Sequence, residues 1–297
     1  MPCYYPKHGY QAKFGWTADK KKSNGSPLTI PCGKCMGCRI ARSQEWAIRF
    51  IHEAQLWPDN SFITLTYDQE SLPDYGTLVP KHFQKFMKRL RKENTEKTIR
   101  FFHCGEYGDK DGRPHYHAVI FNHGFPDRYH WRTDEKGNKS YRSPELEKLW
   151  DLGNSEVTDL NFTTAGYVAR YSLKKKHGEM AREKYTVLDP ETGELLGLKK
   201  PEYATMSNRP GIGKKWYDRY KSDIFPCDYV VMNGREYPVP GYYWKLLGRE
   251  DEKLKKKLGY DRILKARENA WNNTPERLKV RETVKKAQMD AYTSRKL

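Results

Sequence analysis

Hydrophobic and polar positions recur with two periods along the middle of the chain, and these periods predict its first elements. Residues 39–57 carry apolar side chains at helical spacing, so we expect an amphipathic helix that ends before Pro58. Residues 62–67 (FITLTY) are β-branched and aromatic, which is typical of a strand. Residues 81–92 return to helical spacing and predict a second helix.

The next part of the pattern predicts a β-hairpin. Residues 99–107 and 115–121 both resemble strands, and the turn sequence GDKDGRP lies between them. Three further elements are predicted: a short helix at 144–150, a strand at 156–160, and a helix that Thr163 or Thr164 caps and that runs to about Lys175. Strands mixed with helices and a hairpin favour an α+β fold, with a central antiparallel sheet and helices packed on it.

The flanking regions differ in composition from the centre, and they suggest three segments. We expect residues 1–57 to form an irregular Cys-rich arm followed by the basic helix, and residues 58–240 to form a central domain. Residues 176–240, rich in Pro and Gly, predict no clear element beyond turns. Residues 241–297 are charged and helix-prone; their lysines and arginines either bind phosphates or form the solvated face of a helical tail.

The charge balance indicates a polyanionic partner. The chain of 297 residues has 55 Lys and Arg against 38 Asp and Glu, a formal net charge of +17. Nucleic acid is the usual partner of such a protein, and an aromatic content of 13% suits single strands, whose bases stack on rings. No apolar run approaches the ~20 residues needed to span a bilayer, and the first residues do not resemble a signal peptide. We therefore expect no membrane association and a cytoplasmic location.

Two histidines on the second strand of the hairpin are candidate metal ligands. In the stretch PHYHAVIF, alternation places His115 and His117 on one face and Tyr116 on the other. A tight turn would set Glu106 opposite His115, giving an open, catalytic type of site that favours Mg²⁺ or Mn²⁺ for a phosphate substrate. His103 is interpreted as structural. A pair of histidines two residues apart also occurs on half-exposed strands without a metal.

Two tyrosines in GYVARYSLKKK are candidate nucleophiles. On a helix Tyr167 and Tyr171 are four residues apart, so their hydroxyls emerge on one face, and Lys174 falls on the same stripe. A neighbouring cation stabilises phenolate, and two phenols allow two successive transesterifications that conserve phosphodiester energy. Arg170 and Lys175 are candidate DNA contacts. The same spacing also fits an amphipathic helix that buries its tyrosines in the core.

The spacing of three cysteines suggests a structural metal site. Cys32, Cys35 and Cys38 form C-x-x-C-x-x-C, and tetrahedral zinc needs a fourth ligand, for which Cys3 is the first candidate and His8 another. An iron–sulfur cluster accepts the same spacing, and unligated thiols are the remaining interpretation. Arginines follow directly and would present a basic helix to DNA; they are Arg39, Arg42 and Arg49.

These motifs together resemble a known family. FITLTYD, GEYG…RPHYHAVIF and GYVARYSLK, in this order, resemble the rolling-circle replication initiators with a His-hydrophobic-His motif. The two-tyrosine arrangement resembles the initiators of microviruses, the small icosahedral phages with single-stranded DNA, and PCGKCMGCR looks most like the gokushovirus branch. The resemblance covers residues 32–176.

The resemblance implies a five-stranded antiparallel sheet with a metal site on its face. His115 and His117 would be ligands, with Glu106 as the third, and Tyr167 and Tyr171 would be nucleophiles. Such an enzyme nicks the origin strand, forms a 5′-phosphotyrosine link, and later rejoins the strand to release circular single-stranded DNA. The expected partners are single-stranded DNA at a replication origin and the host helicase and polymerase, in the host bacterial cytoplasm.

Two other functions stay open on the residues alone. One is a non-enzymatic, zinc-stabilised nucleic-acid-binding protein in which the histidines and tyrosines are structural. The other is a relaxase or transposase that uses the same tyrosine chemistry for plasmid transfer or transposition. A covalent protein–DNA adduct separates the first from an enzyme, whereas only genetic context separates the second.

Overall fold

The computed structural model describes residues 3–13, 15–108, 111–135, 137–171 and 179–294, with the backbone alone at 167–171, 179–181 and 292–294. Its strands, in chain order, are β1 (Lys7–Ala12), β2 (Gly15–Thr17), β3 (Pro27–Ile30), β4 (Asn60–Tyr67), β5 (Arg100–Tyr107), β6 (Pro114–Phe121), β7 (Tyr129–Thr133), β8 (Lys139–Arg142), β9 (Gly153–Asp159), β10 (Thr186–Leu188), β11 (Leu195–Leu198), β12 (Tyr203–Met206), β13 (Tyr229–Met232) and β14 (Arg235–Pro238). Its α-helices are α1 (Met36–Ala54), α2 (Pro80–Glu93), α3 (Pro144–Leu149), α4 (Phe162–Tyr171), α5 (Glu179–Tyr185), α6 (Lys214–Tyr220), α7 (Gly241–Glu250), α8 (Glu252–Glu268) and α9 (Pro275–Ser294).

A sheet of seven antiparallel strands, in the order β12-β5-β6-β4-β9-β8-β7, organises the fold. The predicted α+β class with a central antiparallel sheet is therefore confirmed. The sheet is larger than the five strands expected, because the β7–β8 hairpin extends one edge beyond β9. Strand β12 covers the other edge by pairing with β5. It comes from the region for which the sequence pattern predicted no element.

Both faces of this sheet are covered, and alternation along the strands decides which residues face which layer. On one face, Phe83 and Leu90 of α2 pack with Tyr116 of β6 in the larger core cluster. On the other face, Phe50 of α1 and Ala165 of α4 join the second cluster, which includes residues of β4, β5 and β6. The sheet thus separates a large apolar core from the face that carries the paired histidines.

The chain divides into two compact units. One unit is Glu45–Tyr243 and contains the large sheet; the other is formed by Met1–Gln44 and Trp244–Leu297. The expected segments 1–57, 58–240 and 241–297 stay a prediction. The expected helical C-terminal region is confirmed by α7, α8 and α9. No helix among the described residues is both long and apolar enough to cross a membrane.

Two local predictions are wrong. Residues 7–30 were expected to be irregular, but β1 pairs with both β2 and β3 in a small antiparallel sheet. No residue of these strands is buried, and backbone hydrogen bonds hold them together, so they have no apolar alternation to recognise. At the start of α4, the side chain of Asn161, not Thr163 or Thr164, accepts hydrogen bonds from two helix N–H groups. Thr164 instead accepts from the Asn161 N–H, so the two residues cap the helix reciprocally.

Candidate active site and metal centres

The β5–β6 hairpin brings a carboxylate and two imidazoles together on one face of the large sheet. Its register pairs Glu106 with His115, as the tight turn predicts. Nε2 of His115 lies 2.8 Å from Oε1 of Glu106, and Nε2 of His117 lies 3.1 Å from the same oxygen. Glu106 is only 1% exposed, so its charge has to be balanced within the site. We call these three residues the His–Glu triad.

The outer nitrogens of both imidazoles have partners that orient the rings. Nδ1 of His115 lies 3.1 Å from the carbonyl oxygen of Arg113, and Nδ1 of His117 lies 3.0 Å from Oγ1 of Thr64. A carbonyl oxygen can only accept, so the Nδ1 of His115 carries a proton and the Nε2 of the neutral ring presents a lone pair. Metal-ligating histidines are generally held in this way by a second hydrogen bond.

The spacing of the three side chains in the triad fits a bound cation. Two acceptors, the Nε2 lone pair of His115 and the Glu106 carboxylate, approach within 2.8 Å, and such an approach needs a shared proton or a metal ion between them. The ligand atoms of the triad lie within 4.8 Å of one another. Burial would raise the pKa of Glu106, but its contacts with His115 and His117 outweigh burial and hold the pKa below its ordinary value. The triad could therefore hold a divalent metal, of a kind that these residues do not identify.

Helix α4, which carries the candidate tyrosines in its sequence, packs against β5 and β6. Ala165 is fully buried in the cluster that includes Phe102 and Cys104, on the face that also presents the triad. Tyr167, Arg170 and Tyr171 belong to the helical backbone, and their side chains lie outside the described part of the chain. Lys174 and Lys175 also lie outside the described residues.

The opposite face of the same hairpin is structural. His103 stacks on Phe83 with 3.6 Å between ring centroids, and its Nδ1 lies 2.8 Å from Oγ1 of Thr205. Tyr116 is fully buried and its hydroxyl lies 2.8 Å from that of Tyr67. The predictions that His103 is structural and that Tyr116 points away from the paired histidines are therefore confirmed.

Four cysteines converge in the other compact unit. Cys3 joins Cys32, Cys35 and Cys38, and their sulfur atoms all lie within 4.8 Å of one another. The Cys32–Cys38 and Cys35–Cys3 sulfur distances are both 3.9 Å, close to the ~3.8 Å edge of a tetrahedron with zinc–sulfur bonds of ~2.3 Å. His8, the other candidate ligand, lies on β1 and pairs with Thr29 at 3.1 Å instead.

Backbone N–H groups point at these sulfur atoms, as they do around thiolates. Tyr4 donates to Cys35, Cys32 donates to Cys3, and Cys35 donates to Cys32, over distances of 3.1–3.4 Å. Burial would raise the pKa of Cys32, but hydrogen bonds from the backbone of Cys35 and Lys34 outweigh it and lower the pKa to about 7, whereas burial raises the pKa of Cys3 and Cys38. The cluster thus has the donor set and backbone support of a four-cysteine metal site.

The candidate DNA-binding arginines of α1 fall into two groups. Arg39 and Arg42 are exposed on the first half of the helix. Arg49 is buried, donates to the carbonyl oxygen of Ile212, and lies 4.0 Å from the Trp46 ring centroid. The expectation that Arg49 faces DNA is therefore wrong, because the helix turns this side chain into the protein.

Comparison with known proteins identifies the family of the chain. Residues 60–176 match the family model of the replication-associated protein ORF2/G2P. The chain is 36% identical to replication-associated protein VP4 of Bdellovibrio phage phiMH2K, over 82% of this chain and 76% of that protein. It is 32% identical to replication-associated protein ORF2 of Spiroplasma virus 4, over 84% and 81% of the two chains. The chain belongs to the replication-associated proteins of microviruses.

A third relative in this family is replication-associated protein ORF4 of Chlamydia phage 1, which is 31% identical over 73% of this chain and 53% of that protein. No solved structure matches the chain. The region matched by the family model begins with β4 and includes the His–Glu triad and α4. It also includes Thr64, which the sequence analysis did not single out although alternation along FITLTY places it beside the histidines.

Proposed function

We propose that this protein initiates rolling-circle replication of a microvirus genome by nicking the origin strand and later rejoining it. The observation that carries the proposal is the position of the His–Glu triad on the face against which α4 packs, because α4 contains Tyr167 and Tyr171 one helical turn apart. The relatives support the replication role, since all three are named replication-associated proteins.

The proposed chemistry is a pair of transesterifications. A phenolate oxygen of Tyr167 or Tyr171 attacks the scissile phosphorus, an O–P bond to the 5′ phosphate forms, and the 3′ oxygen leaves and takes a proton. The second tyrosine then cleaves the regenerated origin, and the freed 3′ hydroxyl attacks the first phosphotyrosine link to close the circle. Because each step exchanges one phosphate ester for another, no nucleoside triphosphate is required.

The other residues of the proposed site bind and orient the groups that react. Glu106, His115 and His117 would hold Mg²⁺ or Mn²⁺, which when bound polarises the scissile phosphate and offsets its charge. Thr64 and the Arg113 carbonyl fix the two rings. Arg170, Lys174 and Lys175 are proposed to bind DNA phosphates; Lys174 is also the cation proposed to favour phenolate.

The cysteine cluster is proposed to hold structural zinc. Its four sulfur ligands leave no open position for substrate, which is the arrangement of a structural site. It would fix the start of α1, so that Arg39 and Arg42 present positive charge to DNA phosphates. The proposed partners are origin single-stranded DNA and the host helicase and polymerase, in the host bacterial cytoplasm.

A covalent adduct tests the function directly. The protein is incubated with Mg²⁺ or Mn²⁺ and overlapping single-stranded fragments of the genome that encodes it, then denatured and separated by electrophoresis. We expect one fragment to form an adduct, with mass spectrometry locating the phosphate on Tyr167 or Tyr171. The Y167F/Y171F double variant should form none, whereas the Y237F variant should be unaffected; Tyr237 lies beside α4, where its ring contacts Phe162.

Three results would decide against the proposal. Absence of any adduct with the wild-type protein would favour the non-enzymatic DNA-binding function. An adduct that persists in the double variant would exclude these nucleophiles. Full activity after His115→Ala and His117→Ala would remove the metal from the mechanism. An adduct with plasmid transfer or transposon-end sequences, but not with the viral genome, would instead indicate the relaxase or transposase function.

A further inference from the structure

A polar groove runs along the large sheet from β4, which pairs with the histidine-bearing strand β6, to the β7–β8 hairpin. Thr64 and Thr66 on β4 pair with His117 and His115 on one side. On the other side they pair with Glu156 and Asn154 of β9. These β4 and β9 residues, together with Trp131, Arg132 and Arg142 of the hairpin, line a cavity of about 200 Å³. The groove therefore begins on β4, directly beside the two histidines of the triad.

A β-bulge directs two side chains of β7 into this groove. His130 pairs with Tyr141 and Arg132 pairs with Ser140, so Trp131 is the extra residue of the β7–β8 ladder. A bulge breaks the strict alternation of a strand and re-aims a side chain. Trp131 and Arg132 consequently line the same groove although they are adjacent in sequence.

Trp131 has the surroundings of a stacking platform. The residue is 55% exposed, which is unusual for the largest apolar side chain, and the Arg142 guanidinium lies 4.8 Å from the ring centroid. Arg142 is itself held by Asn154 at 3.3 Å and by Glu147 at 3.6 Å. The indole thus rests against a fixed cation and keeps the rest of its surface open to solvent.

We propose that the β7–β8 hairpin binds a base of the DNA strand that flanks the cleaved phosphate. The open surface of Trp131 stacks on the base, while Arg142 and Arg132 attract neighbouring phosphates. Four strand spacings of ~4.8 Å separate β6 from β7, so the hairpin contacts DNA ~19 Å from the triad, beyond the reacting nucleotide. This subsite rests on the proposed function, because the triad is what gives the groove a DNA strand to bind.

Charge favours single-stranded DNA as the occupant. The groove is lined by two arginines and one carboxylate, Glu156, in a chain with a net charge of +17. Glu156 pairs with Arg132 at 3.0 Å, and Arg142 pairs at 3.6 Å with Glu147, which lies outside the lining, so the lining itself has one more cation than carboxylate. An aromatic ring beside cations in a groove that leads to a phosphate-cleaving site matches the pattern by which proteins bind single strands irrespective of sequence.

Equilibrium binding of a fluorescein-labelled oligo(dT), measured by anisotropy without added Mg²⁺ or Mn²⁺, tests the subsite. We expect Trp131→Ala to weaken binding about tenfold, the effect of losing one stacked base, and Trp131→Phe to retain most of the affinity. Trp271→Ala is the matched control, because Trp271 is 69% exposed in the other compact unit. Equal affinities for wild type and Trp131→Ala, with unchanged thermal melting, would overturn the proposal.

A second measurement separates this subsite from the nicking function. With the genome fragment that forms the adduct, Trp131→Ala should raise KM about tenfold and leave kcat within twofold, since Trp131 lies away from the reacting atoms. If the wild-type protein forms no adduct while Trp131→Ala still weakens oligo(dT) binding, the nicking function fails and the subsite stands. If the adduct forms and both KM and oligo(dT) affinity are unchanged in Trp131→Ala, the subsite alone fails.

Discussion

Oγ1 of Thr64 lies 3.0 Å from Nδ1 of His117, across the pairing of β4 with β6. Through this contact Thr64 of β4 fixes the imidazole ring that faces Glu106. His117 also lies against Phe62, with 5.5 Å between the parallel ring centroids. Two residues of β4 therefore position the His117 imidazole. Thr64 does so through the hydrogen bond and Phe62 through ring stacking.

Replacing Thr64 by Val should weaken metal binding without removing a ligand. The substitution keeps the shape of the side chain and deletes the hydrogen bond to His117, a change that generally costs ~10–100-fold in metal affinity. Calorimetric titration with Mn²⁺ measures the effect. Thr66→Val is the control, since Thr66 lies on the same strand face opposite His115, whose Nδ1 contacts the Arg113 carbonyl instead. Equal losses in both variants would mean that Thr64 acts only through the local fold.

Removing Arg100 should strongly destabilise the compact unit Glu45–Tyr243. Its guanidinium lies 2.7 Å from Glu53, both side chains are at most 5% exposed, and Glu53 also accepts from the Gly213 N–H. Arg100→Met leaves a buried carboxylate without its cation, which costs ~3–5 kcal/mol in the free energy of unfolding measured with urea. Breaking the exposed Arg89–Asp151 pair by Arg89→Met should cost less than ~1 kcal/mol. Similar losses for the two variants would contradict the role assigned to burial.

Acid should destabilise the protein in part through His103. Burial lowers its pKa from 6.5 to about 3, so the unfolded chain binds a proton at this histidine before the folded protein does. Above pH 6.5 His103 has no effect on how stability depends on pH. As the pH drops from 6.5 towards 3, this histidine lowers the free energy of unfolding by up to ~1.4 kcal/mol per pH unit.

Urea unfolding at several pH values checks this expectation. In His103→Phe the titrating group is gone. The slope of the free energy of unfolding against pH, between pH 6.5 and 3, should therefore decrease by up to ~1.4 kcal/mol per pH unit. His130→Phe serves as the comparison, because His130 is exposed on β7. A His103→Phe profile parallel to that of the wild type would show that other groups cause the acid sensitivity.

The purified chain should contain one zinc ion that depends on all four clustered cysteines. Metal analysis with a mercurial thiol reagent is expected to release one equivalent, and Cys3→Ser should abolish it although Cys3 is distant from the C-x-x-C-x-x-C stretch. Cys227→Ser should leave the zinc content unchanged, since Cys227 is exposed and lies outside the cluster. Full zinc content in Cys3→Ser would mean that three thiolates and another ligand suffice.

Much of the site could be predicted from local sequence because strand geometry is simple. Alternation placed His115 and His117 together, and a tight turn set Glu106 opposite His115, as the register confirms. Cys3 was the first candidate for the fourth ligand and His8 the second, and the fold brings Cys3 to the cluster although it lies 29 residues before Cys32. The roles of Tyr167 and Tyr171 stay a prediction, since their side chains lie outside the described part of the chain.

The strands that the sequence pattern missed share a physical cause, and Arg49 has a different one. Strands β1 to β3 and β7 are largely exposed, so their residues carry no apolar alternation, and their pairing depends on backbone groups that every sequence possesses. Arg49 lay on the predicted basic helix, but only the packing of Trp46 and Ile212 around it reveals that it is buried. Strand β12 is four residues long and gains its place by pairing with β5, a contact about one hundred residues distant in the chain.

The pairing of β5 with β6 also limits how this enzyme family can change. A slip of one residue would bring Gly105 or Tyr107 opposite His115 and rotate the Glu106 carboxylate to the other side of the sheet. That side is already filled by Tyr116, so the slip would disrupt the core as well as the triad. Mutations that loosen the β5–β6 pairing therefore impair both folding and activity. We expect insertions and deletions in this hairpin to be tolerated poorly.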